Sequence, residues 1–140
     1  MFDEMNYIEL SGEKFPIKCD MAVLEKVQEK YGDLAEFEGK LQNFVVEKDE
    51  NGEPKKNEEG FFVGRYNYPE IGAVNDALYW MVEEGEEIET GEKRIDRKEL
   101  LRKVDCSPID LGIALHEEYV RCFERKNVRT TQKKGRQGNL

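Results

Sequence analysis

Histidine and tryptophan occur once each in this 140-residue chain, and cysteine three times. With His116 as its only histidine, the chain has little means of shuttling protons near neutral pH. His116-Glu117 opens like the zinc-protease His-Glu-x-x-His motif, but Val120 stands where the second histidine belongs. A nucleophile pair of Cys122 and His116 would fit helical spacing, yet it has no supporting motif, and both residues suit the edge of a packing face. Cys19, Cys106 and Cys122 are odd in number and far apart, with no Cys-x-x-Cys spacing. That pattern argues against a disulfide framework or a thiolate zinc site and suits reduced thiols.

Other absences narrow the field further. No apolar run approaches the roughly 18 residues that span a bilayer, and the mixed, acidic stretch from Met1 to Glu9 does not read as a signal peptide. Gly60, Gly64 and Gly72 lack both a following Lys-Ser/Thr and the close spacing of a dinucleotide cradle. Asp49-Glu50-Asn51-Gly52 begins like a calcium loop, but Pro54 takes the glycine position and Gly60 that of the bidentate glutamate. Glu83-Glu84-Gly85-Glu86-Glu87 is the charged edge of a helix end. The expectation is a protein with no catalytic constellation, no cofactor and no metal, which is not an enzyme.

What the chain has in abundance is charge. Charged residues make up 38% of it, equal to the hydrophobic share, and the net charge is −9. Residues 121–140 hold seven Lys/Arg against the single acid Glu124, a net +6, which leaves −15 on residues 1–120. So acidic a body repels nucleic acid and anionic membrane, and neither is an expected partner. The basic end is expected to be a disordered tail over 128–140, either a plain frayed terminus or a weak lure for an acidic partner.

The apolar pattern lays out one domain over 1–127. Tyr7, Ile8 and Leu10, then Phe15, Ile17 and Cys19, flank Ser11-Gly12 as a β-hairpin, with Pro16 on an edge. Asp20 caps a helix bearing Val23, Leu24, Val27 and Tyr31, and Gly32 ends it. Asp33 caps a second, with Leu34, Phe37, Leu41 and Phe44 on one face and Gly39 weakening its middle. Residues 47–60 read as a flexible charged loop inside a second hairpin around 45–66. A third helix opens with Pro69 in its first position and closes at Gly85, carrying Ile71, Val74, Leu78, Met81 and Val82. Asp96 caps a fourth with Leu100, Leu101 and Val104. Ser107-Pro108 starts a fifth with Leu111, Leu115, Tyr119, Cys122 and Phe123. Neither an internal repeat nor coiled-coil heptads stand out. The expected class is α+β, a mostly helical single domain of about five helices.

The order of these pieces resembles the tail assembly chaperones of siphophages and prophages of Gram-positive bacteria. The likeness runs over residues 7–125. It is carried by the blocks Tyr7-Ile8-Glu9-Leu10-Ser11-Gly12-Glu13-Lys14-Phe15-Pro16-Ile17-Lys18-Cys19-Asp20, Leu24-Glu25-Lys26-Val27-Gln28-Glu29-Lys30-Tyr31-Gly32 and Ala77-Leu78-Tyr79-Trp80-Met81-Val82-Glu83-Glu84-Gly85. The resemblance implies a protein of the host bacterial cytoplasm, outside the mature virion, with no catalytic residues. It would keep the phage tape-measure protein soluble and promote tail-tube assembly around it, and it would self-associate. It also implies a longer, frameshifted form that reaches the tail-tube protein, departing near Lys133 and Lys134. On the third helix, Tyr79 and Trp80 flank an already wide apolar arc and are expected to serve a partner or self-association surface, the alternative being Trp80 as plain core. A rival from a different class is an acidic inhibitor or nucleic-acid mimic that regulates a host enzyme, suggested by the −15 body.

Overall fold

The computed structural model describes residues 4–124. The N-terminal ribbon pairs β1 (Asn6–Leu10) with β2 (Glu13–Ile17) in antiparallel register, Asn6 opposite Ile17 and Leu10 opposite Glu13. Its two-residue turn places both Ser11 and Gly12 at positive φ, the twist that matches flanking strands. Five helices and a second ribbon follow: α1 (Met21–Tyr31), α2 (Leu34–Leu41), β3 (Asn43–Val46), β4 (Gly64–Asn67), α3 (Ile71–Thr90), α4 (Arg97–Arg102) and α5 (Pro108–Phe123). The described residues form one α+β domain, the expected class.

Helix starts follow local chemistry. The carboxylates of Asp20, Asp33 and Asp96 accept from amides of the turns they precede, and the Ser107 hydroxyl accepts from the Asp110 amide ahead of Pro108. Helix α3 departs from expectation at both ends. Pro69 is buried two residues before the helix, with Glu70 in the cap position, and the helix runs past Gly85 to Thr90, where Gly91 takes the left-handed conformation. Gly85 sits inside the helix because β2 crosses it there. A Cβ on Gly85 would lie 2.6 Å from the Pro16 carbonyl oxygen and 3.0 Å from the Ile17 nitrogen. Beside this crossing the Lys18 amide donates to the Met81 carbonyl at 3.0 Å.

The core therefore forms around α3, where Ala73, Val74, Ala77, Leu78, Met81 and Val82 are all buried. Leu10, Phe15 and Ile17 of the ribbon cover one flank, while Val23, Val27, Phe37, Leu41, Leu100, Leu111, Leu115 and Tyr119 close the others. Phe123, expected on the core face of α5, is instead half exposed, its ring 5.2 Å from Tyr119.

Two buried carboxylates join elements distant in sequence. Asp76 on α3 accepts from Lys30 at 2.7 Å and Tyr31 at 2.6 Å, and meets Arg97 of α4 at 2.9 Å. Burial alone would raise its pKa, but these hydrogen bonds outweigh it and hold the carboxyl below the usual aspartate range. Glu118 on α5 accepts from the Asn6 amide group at 3.0 Å, the Cys19 backbone N–H at 3.1 Å and Arg121 at 2.5 Å. The first clasp ties α1, α3 and α4 together, and the second fixes the ribbon and its exit to α5.

Candidate binding surface

Helix α2 stops at Leu41 because Gln42 turns to extended backbone. Phe44, whose spacing matches the α2 stripe, consequently lies in β3 and not on the helix. From here to Asn67 the chain leaves the core, and no residue of 43–67 is buried. The stem pairs Phe44 with Tyr66 and Val46 with Gly64 on one face, and Val45 with Arg65 on the other. The Phe44 and Tyr66 rings pack edge to face at 5.2 Å. Gly64 is required by this arrangement, since a Cβ there would meet the Val45 carbonyl oxygen at 2.3 Å and the Phe44 ring at 2.8 Å.

Side-chain and backbone bonds anchor the stem at its base. The Gln42 side chain donates to the Tyr66 hydroxyl at 3.0 Å, the Asn43 side chain to the Tyr68 carbonyl at 3.2 Å, and the Glu70 amide to the Lys40 carbonyl at 3.0 Å. Lys40 and Glu70 add an ion pair at 3.1 Å.

Beyond the stem, the expected flexible loop has hydrogen-bonded structure of its own. Glu47, Lys55 and Val63 form a closed ring of backbone bonds: Glu47 N–H to Val63, Lys55 N–H to Glu47, and Val63 N–H to Lys55, at 2.8, 2.8 and 2.9 Å. Between these three residues stand two tight turns built alike. Asp49 Oδ1 accepts from the Asn51 and Glu53 amides, and Asn57 Oδ1 accepts from the Glu59 and Phe61 amides. Gly52 and Gly60 hold the equivalent positive-φ positions. The turns correspond to Lys48-Asp49-Glu50-Asn51-Gly52 and Lys56-Asn57-Glu58-Glu59-Gly60. This short internal repeat corrects the expectation that the chain has none. Its sequence signal was visible: an acid or its amide after lysine and a glycine three positions on, twice at one spacing.

The arm is rich in exposed apolar side chains. Phe44, Val45, Tyr66 and Tyr68 are exposed on the stem and its base, and Phe61 and Phe62 at the second turn. A two-stranded ribbon alone is marginal in water, and contiguous exposed aromatics mark interaction surfaces. Tyr79 and Trp80, the expected surface pair, are half-buried and packed against the core. The Trp80 ring meets Tyr31 at a centroid distance of 6.5 Å. Tyr79 donates to Glu83 at 3.1 Å beneath the Arg97 guanidinium. Lys133, Lys134 and the tail over 128–140 lie outside the described residues.

His116 and Cys122 each have a partner from an element distant in sequence. His116 Nε2 lies 2.9 Å from Glu38 Oε2, and Cys122 lies against the buried Cys19 thiol, whose pKa is raised by burial and by Cys122. Among the described residues, no cluster of three or more His, Cys, Asp or Glu could hold a metal ion, and no helix is long and apolar enough to cross a membrane.

One acidic pair gives a pH dependence. A hydrogen bond with Asp20, reinforced by burial, pushes the Glu84 carboxyl up to about 7. The unfolded chain releases this proton near pH 4.3, so the native state binds more protons between there and about pH 7. Stability from this pair is therefore lost as pH rises through that window. Glu84→Gln, which keeps a donor for Asp20, is expected to raise Tm by a few degrees at pH 8 and leave it unchanged at pH 4. Thermal melts at both pH values check this, and an equal shift at both contradicts it.

No protein-family model, curated protein or solved structure matches the chain.

Proposed function

We propose that this chain is a tail assembly chaperone of the siphophage type, which binds the tape-measure protein, keeps it soluble and promotes tube assembly around it. One observation carries the proposal: the aromatic side chains of Phe44 and Tyr66 on the stem and of Tyr68 at its base are exposed together, on a ribbon tied at that base by hydrogen bonds. An exposed apolar face on a strongly acidic body suits the holding of an aggregation-prone segment, because dehydrating the face is favourable. Net charge of one sign also keeps the loaded complex dispersed. The same face disfavours the rival mimic, which would offer ordered acids to a basic groove and has no use for exposed rings. A non-enzymatic role in the host bacterial cytoplasm accompanies the proposal.

Affinity capture of the tagged full chain from cells producing phage particles tests it. The tape-measure protein should be retained by the wild type and lost with Phe44→Ser/Tyr66→Ser/Tyr68→Ser. Retention of a host nuclease or polymerase in its place, by wild type and variant alike, would favour the mimic and sink the chaperone.

A further inference from the structure

Two of the three cysteines meet across the seam between the N-terminal ribbon and α5. Cys19 lies between Ile17, the last residue of β2, and Asp20, the cap of α1. Cys122 lies in the last turn of α5. The Glu118 carboxylate sets how they face each other. It accepts from the Cys19 backbone N–H at 3.1 Å, and Cys122 follows it by four positions, one turn along the same helix face. The Cys19 thiol is fully buried and hydrogen-bonds with the thiol of Cys122, which is partly exposed. Burial, and then Cys122 itself, push the Cys19 pKa up, so Cys19 keeps its proton.

The third cysteine stands apart. Cys106 is exposed and precedes α5 at the opposite end of that helix, beside Pro108 and Leu111. The 16 residues of α5 separate it from Cys122, a span of about 24 Å at the usual helical rise. A disulfide needs Cα atoms within about 7 Å of each other. The fold therefore brings one of the three possible pairs within reach, Cys19 with Cys122.

We infer that Cys19 and Cys122 are a redox-sensitive pair, which hydrogen peroxide joins into a disulfide that staples the start of α1 to the end of α5. The solvent-facing sulfur of Cys122 attacks, as its thiolate, one oxygen of the peroxide. The O–O bond breaks, the departing oxygen leaves as water, and Cys122 becomes a sulfenic acid. The Cys19 sulfur then attacks the Cys122 sulfur. The S–O bond breaks, and the hydroxyl leaves with the Cys19 proton as a second water. Two thiols and one hydrogen peroxide thus give one disulfide and two waters, the two electrons lost by the sulfurs going to the O–O bond. A partner already in contact captures the sulfenic acid before a second peroxide can carry it to the sulfinic acid, and a dithiol reverses the link by exchange. The staple closes a loop of about a hundred residues, which restricts the unfolded chain strongly. This goes beyond the proposed client face, because the pair uses no residue of the arm.

Treating the reduced full chain with a small excess of hydrogen peroxide, then alkylating the remaining thiols in denaturant, tests it. Wild type and Cys106→Ser should lose two hydrogens in mass and give a tryptic fragment that joins the Cys19 and Cys122 peptides within one chain. Dithiothreitol should restore both alkylation sites. The oxidised form should melt about 10 °C above the reduced form. Cys122→Ser, at a partly exposed position, should form no link within the chain, and it carries the test if Cys19→Ser fails to fold. The same treatment in urea should also yield links to Cys106, since the fold alone selects the pair. Three results would overturn the inference: a link to Cys106 in the folded wild type, a Cys122 sulfinic acid in place of the link, or a link that leaves the melting temperature unchanged or lower. Loss of client capture by the stem variant bears on the chaperone proposal and leaves this inference standing.

Discussion

Gly85→Ala is expected to destabilise the domain by about 3 kcal/mol, the upper end for overpacking, although alanine is the better helix former by about 1 kcal/mol. The added methyl would meet backbone on the opposing side, the Pro16 carbonyl at 2.6 Å and carbon at 2.7 Å, and not the flexible end of a side chain. The β1–β2 ribbon would have to lift from α3, opening the contacts of Phe15 and Ile17 and stretching the bond from Lys18 to Met81. Gly39→Ala is the internal control. Gly39 is also helical, but a Cβ there meets nothing within 4 Å, and the residue is exposed. It should stabilise by about 0.5–1 kcal/mol through the unfolded chain's lost freedom. Urea denaturation of both variants checks the opposite signs. A Gly85→Ala protein as stable as the wild type would mean that the crossing is looser than 2.6 Å implies.

Glu118→Ala carries the second large expected effect, a loss of about 3 kcal/mol. Removing the carboxylate takes an acceptor from the Cys19 amide and the Asn6 side chain in a buried setting and leaves Arg121 without its partner. Unsatisfied buried groups cost about 1–3 kcal/mol each, and truncating one side of a buried ion pair costs about 3–5 kcal/mol. Arg121 is about half exposed and regains water, which holds the total toward the lower part of that range. Glu118→Gln keeps one oxygen acceptor and should lose less than half as much. Chemical denaturation reads both. An alanine variant within 0.5 kcal/mol of wild type would show that the clasp contributes little.

The same glycine and carboxylates show what was legible from sequence. The four side-chain caps, Asp20, Asp33, Asp96 and Ser107, act where expected because a cap reaches only two or three residues along its own chain. The β1–β2 ribbon was legible for the same local reason. Gly85 was misread as a helix stop, since its cause is the passage of Pro16, nearly seventy residues earlier in sequence. Phe44 fits the helical spacing of α2, and only the turn at Gln42 and the pairing with Tyr66 move it to a strand. The candidate surface was the least legible part. Phe44-Val45-Val46 and Phe61-Phe62-Val63 mark a hairpin from sequence, but their use as an uncovered face follows from the absence of buried residues across 43–67. Tyr79 and Trp80 looked like surplus apolar residues on a wide arc, and the neighbours that half-bury them come from α1 and α4.

The most direct test of the central claim is the soluble fraction of the tape-measure protein when it is produced together with this chain. The account predicts that the wild type keeps it in the supernatant, and that Phe44→Ser/Tyr66→Ser/Tyr68→Ser, folded to the same melting temperature, leaves it in the pellet. A stem variant that keeps the tape-measure protein as soluble as the wild type does would contradict the assignment of the aromatic stem as the holding face.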